Sequence, residues 1–331
     1  LKRILISRTD SIGDVILTLP LCASLKVKYP ELHITFLAAR YTIPVIESCT
    51  SVDEILDFTE LLDQPKLGQI NQLKEGKFEA IVHVFPKKEI AALAKAAKIP
   101  QRIGTSHRRF HMLTCNQRIN FTRKNSEFHE AQLNFHLLRN LGWNELPTWA
   151  DLNEDLSYFK SKTVVDSDIL KSEKPKVILH TKSQGSAVEW PIEKYVELSD
   201  RLIELGCRVF FTGTEKEGLL IRPDIKFTED RIDTTGQFSL TELVSFINRS
   251  DVLVACSTGP LHIAGILDKH CIGLFTPKRP MHPGRWRPLG KNSQTITSAE
   301  NCTCKSKEKC NCLENISVDQ VYHEIQAKLK L

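Results

Sequence analysis

No stretch of these 331 residues approaches the run of about 18–20 apolar positions that a membrane-spanning helix requires. The most apolar early segment, Val15 to Leu25, is short and follows Asp10 and Asp14. A secretory signal would not carry those acids, so the segment reads as a first core helix. No G-x-G-x-x-G follows the first apolar run, which disfavours a dinucleotide-dependent dehydrogenase. A Walker-type phosphate loop is also missing, as is the G-x-S-x-G nucleophile elbow, so kinase, ATPase and hydrolase chemistries of those kinds lose support. Strong charge of one sign is lacking too. The net charge of +5 suits an anionic ligand or an acidic membrane surface but is too slight to imply nucleic acid.

What is present is a globular profile, 41% hydrophobic and 26% charged, which excludes a disordered chain. The length allows two domains. Of ten cysteines, Cys22, Cys49, Cys115, Cys207, Cys256 and Cys271 are dispersed, mostly in apolar runs. They read as buried free thiols and point to a reducing cytoplasm. The remaining four form Cys302-x-Cys304 and Cys310-x-Cys312 in a polar, Lys-rich loop. Four thiolates so close can hold zinc tetrahedrally, as a structural site. The usual spacing is C-x2-C, so free thiols and disulfides formed on purification stand as alternatives.

Apolar strand-like runs alternate with helix-patterned stretches. Strands are expected from Lys2 to Ser7, His33 to Ala38, Val52 to Leu56, Ala80 to Val84 and Arg102 to Gly104. Helices are expected from Val15 through Pro20, at Thr42 to Glu47, Ile70 to Glu75 and Lys88 to Ala97, and at Glu130 to Leu141 with Gly142 as C-cap. Periodicity fades from Trp143 to Pro175. A second series then runs from the strand Lys176 to His180 to the final amphipathic helix Val318 to Leu329, with Ser239 as a cap. This alternation predicts an α/β fold with parallel sheets covered on both faces. The expected division is a first domain over 1–150, a linker over 151–175, a second domain over 176–315 and a C-terminal helix over 316–331.

Two turns carry candidate chemistry. Ser257-Thr258-Gly259-Pro260-Leu261-His262 follows the apolar run Val252 to Cys256 and opens a helix. Free N–H groups and the helix dipole make such a turn a site for phosphate, with Thr258 adding a hydroxyl and His262 in the first turn. An ordinary strand–turn–helix connection fits the same residues. Near the start, Asp14 follows Gly13 at a helix start. It is either a first-turn acid that complements the dipole or a general base for an attacking sugar hydroxyl. Ligands of open parallel sheets bind beyond the carboxyl ends of the strands, so the two turns are expected to face each other across a cleft. A basic segment from Arg102 to Lys124, with His107, Arg108 and Arg109, is either a solvated loop face or a surface for an anionic acceptor.

Together these residues resemble glycosyltransferase family 9, the bacterial lipopolysaccharide heptosyltransferases. The likeness lies in Ile4-Leu5-Ile6, Asp10-Ser11-Ile12-Gly13-Asp14-Val15 and Leu19-Pro20, then His129-Glu130, Trp190-Pro191, Thr235-Gly236, Ser239-Leu240, Ser257-Thr258-Gly259-Pro260 and His262-Ile263-Ala264. The resemblance implies two Rossmann-like domains in the GT-B arrangement. It also implies an inverting, metal-independent transferase that takes ADP-heptose as donor and the lipopolysaccharide inner core as acceptor. Asp14 falls at the family's catalytic base. Ser257, Thr258, Gly259 and His262 fall at its donor diphosphate and sugar site, with Thr181, Lys182 and Ser183 in a second phosphate loop and Gly213 and Glu217 near the nucleotide. Arg102, His107, Arg108 and Arg109 would meet the acceptor's acidic groups. A cytoplasmic protein with peripheral contact at the inner membrane follows from such an acceptor. Two positions depart from the family pattern. Ser257 stands where relatives have Asp, and Val188-Glu189 stand where many have Lys, with Lys182, Lys278 or Arg279 as candidate substitutes. The same fold using another nucleotide sugar, and a non-catalytic nucleotide-sugar-binding protein, are the competing expectations.

Overall fold

The computed structural model describes residues 1–331 except 125, 166–167, 299–301, 303, 305–309 and 330–331. The chain forms two compact units, Leu1–Lys160 and Ser161–Leu331. The division falls inside the stretch where periodicity fades. On its near side Cys49 bridges Phe159, and on its far side Val165 N–H donates to Ser245 Oγ at 2.8 Å.

The first unit holds β1 (Arg3–Ser7), β2 (His33–Ala38), β3 (Glu54–Asp57), β4 (Ala80–His83), β5 (Gln101–Thr105) and β6 (Gln117–Ile119). They form one parallel sheet in the order β3-β2-β1-β4-β5-β6. The central strands read as unbroken apolar runs because helices cover both faces, and Ile4, Leu5, Ile6, Ile81 and Val82 have no exposure. The second unit repeats the plan with β7 (Lys176–His180), β8 (Arg208–Thr212), β9 (Arg231–Asp233), β10 (Val252–Cys256), β11 (His270–Phe275) and β12 (Ser293–Thr297). Its order, β12-β11-β10-β7-β8-β9, is the same topology written from the other edge, and every pairing is parallel. In each sheet the chain reverses its direction of growth between the first and fourth strands, β1 and β4 or β7 and β10. That reversal opens a crevice at the carboxyl ends of those strands.

Several expected elements shift. The apolar helix from Val15 is two helices, Ile12–Ile16 and Leu19–Lys28, with Pro20 near the start of the second, where its missing N–H is not needed. The basic segment is not all loop: it holds the helix Arg109–Thr114 and β6. Gly142 ends its helix at φ +88°, a left-handed conformation that suits glycine. Ser239 caps Leu240–Asn248, accepting from Glu242 N–H, while Glu242 bonds back to the Ser239 N–H. The last helix, Val318–Leu329, packs Val321 and Ile325 against the second unit's core beside the helix Ile192–Glu204. Among the described residues no helix is long and apolar enough to cross a membrane.

Candidate functional site

At the carboxyl end of β1 the chain turns through Arg8 to Asp14. Arg8 is only 3% exposed. Its guanidinium bonds Asp10 at 2.7 Å, Glu130 at 3.4 Å, and Asp14 through Nη2. Arg123 shares Glu130 at 2.9 Å and reaches Asn134 at 3.0 Å, while Asn134 donates to the Leu17 carbonyl at 3.0 Å. Two guanidiniums therefore face three carboxylates in a largely dry setting. Burial alone would lower the pKa of Arg8, but the surrounding carboxylates outweigh it and the pKa is raised. Burial and the Asp14 charge lift Asp10 to about 6 against the pull of Arg8.

Asp14 lies in the short helix Ile12–Ile16 with its side chain 17% exposed. One carboxylate oxygen accepts from Arg8 and the other from the Ser11 hydroxyl. Ser11 occupies the N-cap position without a side-chain cap bond, because its hydroxyl is turned to Asp14. The Asp14 carboxylate is thus fixed in direction while reaching solvent, which a general base requires. Arg8, which holds it, Glu130, which bonds Arg8, and Arg123, which bonds Glu130, were not singled out as site residues from the sequence. The available signal was a cation directly after an apolar strand, followed by two acids within six residues.

In the second unit, His180, Thr212 and Ala255 lie in register across the adjacent strands β8, β7 and β10. The segments that follow, Thr181 to Ser183, Gly213 to Glu217 and Ser257 to His262, therefore share one edge of the sheet, which brings the nine donor-site candidates together. Thr258 is the N-cap of the helix Gly259–Ile266, with Pro260 in its first turn and His262 buried. The hydroxyls of Thr181 and Thr258 are buried and have no hydrogen-bond partner among the described residues. Buried hydroxyls normally find one, so two such groups beside a helix N-terminus suit a polar ligand.

Two of the nine candidates serve the scaffold. Glu217 accepts from the Thr214 N–H at 2.7 Å and its hydroxyl at 2.9 Å, closing a capping box on the helix Glu215–Ile221. Lys182 pairs with Glu189 at 3.1 Å. Glu189 also takes the Ser183 N–H at 2.8 Å and its hydroxyl at 2.9 Å. The residue that departs from the family pattern thus organises the loop and neutralises its lysine, while Val188 is buried in the core.

The basic segment divides in the same way. Arg102 donates to the carbonyls of Ile99 at 2.5 Å and Thr114 at 2.7 Å, pinning the helix Arg109–Thr114, whereas His107, Arg108 and Arg109 are exposed. Cys302, Cys304, Cys310 and Cys312 place their sulfurs within 4.8 Å of one another, so this cluster can hold a metal ion. The six dispersed cysteines are buried and free.

A putative glycosyltransferase of Haemophilus influenzae is 26% identical over 98% of this chain and 96% of its own length. Lipopolysaccharide heptosyltransferase 2 of Escherichia coli is 23% identical over 84% of each chain. The solved structure of E. coli ADP-heptose lps heptosyltransferase II superposes with a TM-score of 0.77 at 20% identity, covering 100% of this chain and 99% of that one. The fold is accordingly GT-B, built from two Rossmann-like units. Residues 67–315 match the family described as glycosyltransferase family 9 (heptosyltransferase), and the chain belongs to that family.

Proposed function

We propose that the protein is an inverting glycosyltransferase that moves heptose from ADP-heptose to the lipopolysaccharide inner core. The second unit binds the donor and the first binds the acceptor. The observation that carries this reading is the pair of buried hydroxyls, Thr181 and Thr258, that have no hydrogen-bond partner among the described residues and lie beside the N-terminus of Gly259–Ile266. Those hydroxyls, the helix N–H groups and His262 take the donor's diphosphate and stabilise the charge it gains on leaving. The acceptor hydroxyl attacks the anomeric carbon from the face opposite the diphosphate. Its proton passes to the Asp14 carboxylate as the new C–O bond forms, and the old C–O bond breaks with its electron pair on the phosphate. Arg8 and Ser11 position Asp14 and do not exchange protons with substrate. Transfer needs no metal in this scheme. The four clustered cysteines form a structural zinc site separate from the transfer step. His107, Arg108 and Arg109 meet the acceptor's phosphates and carboxylates, which places the protein at the cytoplasmic face of the inner membrane.

Asp14→Ala tests the scheme. General base catalysis is worth about 10²–10⁴ in rate. The variant is expected to lose kcat on that scale while ADP binding, followed by thermal shift, stays near the wild-type value. Unchanged turnover removes Asp14 from the mechanism. A second reading, the same chemistry on another nucleotide sugar, is favoured by one observation: Glu189 neutralises Lys182 in the loop expected to meet phosphate. Thermal shifts against a panel of nucleotide sugars decide between the two, and a larger shift with a non-heptose donor selects the second.

A further inference from the structure

The four clustered cysteines are joined to more of the second unit than a metal site alone would need. The Sγ atoms of Cys302 and Cys310 are 3.6 Å apart, and those of Cys304 and Cys312 are 3.9 Å apart. Zinc–sulfur bonds of about 2.3 Å in a tetrahedron separate the sulfurs by about 3.8 Å. Those two pairs therefore stand close to the spacing of a tetrathiolate, and all four sulfurs lie within 4.8 Å of one another.

The cluster is anchored on two sides. On one, Cys312 is 8% exposed and precedes Leu313 and Ile316, which lie in the main core of the second unit. The Ile316 carbonyl accepts from Trp190 Nε1 at 3.1 Å and from Lys194 Nζ at 2.8 Å. On the other side the cluster meets the segment leaving β11. Thr276 Oγ1 lies 3.6 Å from Cys310 Sγ, and Lys278 Nζ donates to the Cys304 carbonyl at 2.7 Å. Thr276 also accepts from the Lys278 N–H at 3.2 Å, and Met281 N–H donates back to the Lys278 carbonyl at 2.8 Å. That segment leaves the carboxyl end of β11, next to β10, whose own end opens the Thr258 turn.

We infer that a zinc ion held by Cys302, Cys304, Cys310 and Cys312 clamps the loop 276–287 and fixes Lys278 beside the carboxyl edge of the second sheet. The inference rests on the zinc reading of the four thiolates. Four thiolates around a divalent cation carry two net negative charges, and the Lys278 ammonium against a ligand's carbonyl offsets part of that charge. Metal binding then orders the loop through the bonds of Thr276 and Lys278, while the core contacts of Leu313 and Ile316 hold the other end in place.

Two measurements test this separately. Metal analysis of the full chain, purified with reductant and no added metal, is expected to give about one zinc per chain, lost in a Cys302→Ser/Cys310→Ser variant. Near-absence of metal, two disulfides in its place, or stoichiometric iron overturns the zinc reading and the clamp with it. Hydrogen exchange read by mass spectrometry is expected to be about tenfold faster across 276–287 after zinc is stripped by chelator, with β10 unchanged. Lys278→Met is expected to keep its zinc and still exchange faster in that loop, so the test survives if the cysteine variant fails to fold. Zinc present, but exchange across 276–287 unmoved by its removal, overturns the clamp and leaves the zinc reading standing.

Discussion

A guanidinium as enclosed as that of Arg8 depends on its partners, and Asp10, Asp14 and Glu130 supply them from three directions. Arg8→Met removes the guanidinium that those three acids share. Breaking a buried ion network from one side costs about 3–5 kcal/mol, and denaturant unfolding at neutral pH is expected to show a loss of that size. Asp10 gives a pH signature. Its pKa is near 6 in the folded chain against an ordinary 3.8, so the folded state holds this proton more tightly than the unfolded one. The stability that this proton provides is complete below about pH 4 and lost as pH rises through 6. Asp10→Asn mimics the protonated acid and can still accept from Arg8. It is expected to gain about 1–3 kcal/mol at pH 7 and nothing near pH 4, measured by urea unfolding across that range. An equal effect at both pH values would show that the gain does not come from titration of Asp10. Asp14 and Thr258 were legible in the sequence because each sits just beyond an apolar strand. Glu130 was legible only as part of a family pattern, since it meets Arg8 across 122 positions, a contact no spacing rule reports. Glu189 read as a departure because many relatives have Lys in that stretch, and its bonds to Lys182 and Ser183 stayed hidden because they lie within one loop, where sequence carries no periodicity.

Strands in the middle of each sheet were legible because burial on both faces demands an unbroken apolar run, as in Val252 to Cys256. β6 and β12 were not. Both lie at sheet edges, with sequences Gln117-Arg118-Ile119 and Ser293 to Thr297 that alternate or mix polar residues as exposed edges do. The helix Gly259–Ile266, read from the sequence as a helix after the Thr258 turn, is buried, and its packing exposes a weak point. A Cβ on Gly265 would lie 2.4 Å from the Leu289 carbonyl oxygen and 2.6 Å from Pro288 Cβ. The first of these neighbours is backbone and the second belongs to a rigid ring, so the helix itself must move. Overpacking of this kind costs about 1–3 kcal/mol. Gly265→Ala is expected to lower stability by that amount and also weaken ADP binding, because the displaced helix carries the Thr258 turn. Lost stability with unchanged ADP affinity would separate the helix from the donor site.

The two units share one strand order, yet they place different chemistry at the same topological position. After β1 stands a network of acids and guanidiniums. Beyond β7 and β10 stand hydroxyls and a helix N-terminus, with Lys182 paired to Glu189 and Glu217 engaged in its capping box. An anion is poorly suited to the first, where three carboxylates would repel it, and well suited to the second. The sequence exposed the repeat through its alternating strands and helices, but not this contrast, which depends on side chains from distant positions meeting at one edge. The contrast makes a prediction for the whole chain. A ligand that binds only the folded state stabilises it by RT ln(1 + [L]/Kd), about 2.7 kcal/mol at a hundredfold excess over Kd. Saturating ADP is expected to raise the unfolding midpoint and to slow amide exchange in three segments: 181–183, 213–217 and 257–262. Exchange across 8–14 should stay as it was without ligand. Protection that appears around Arg8 and Asp14 while the Thr258 turn remains unprotected would assign nucleotide binding to the first unit and reverse the proposed division of labour.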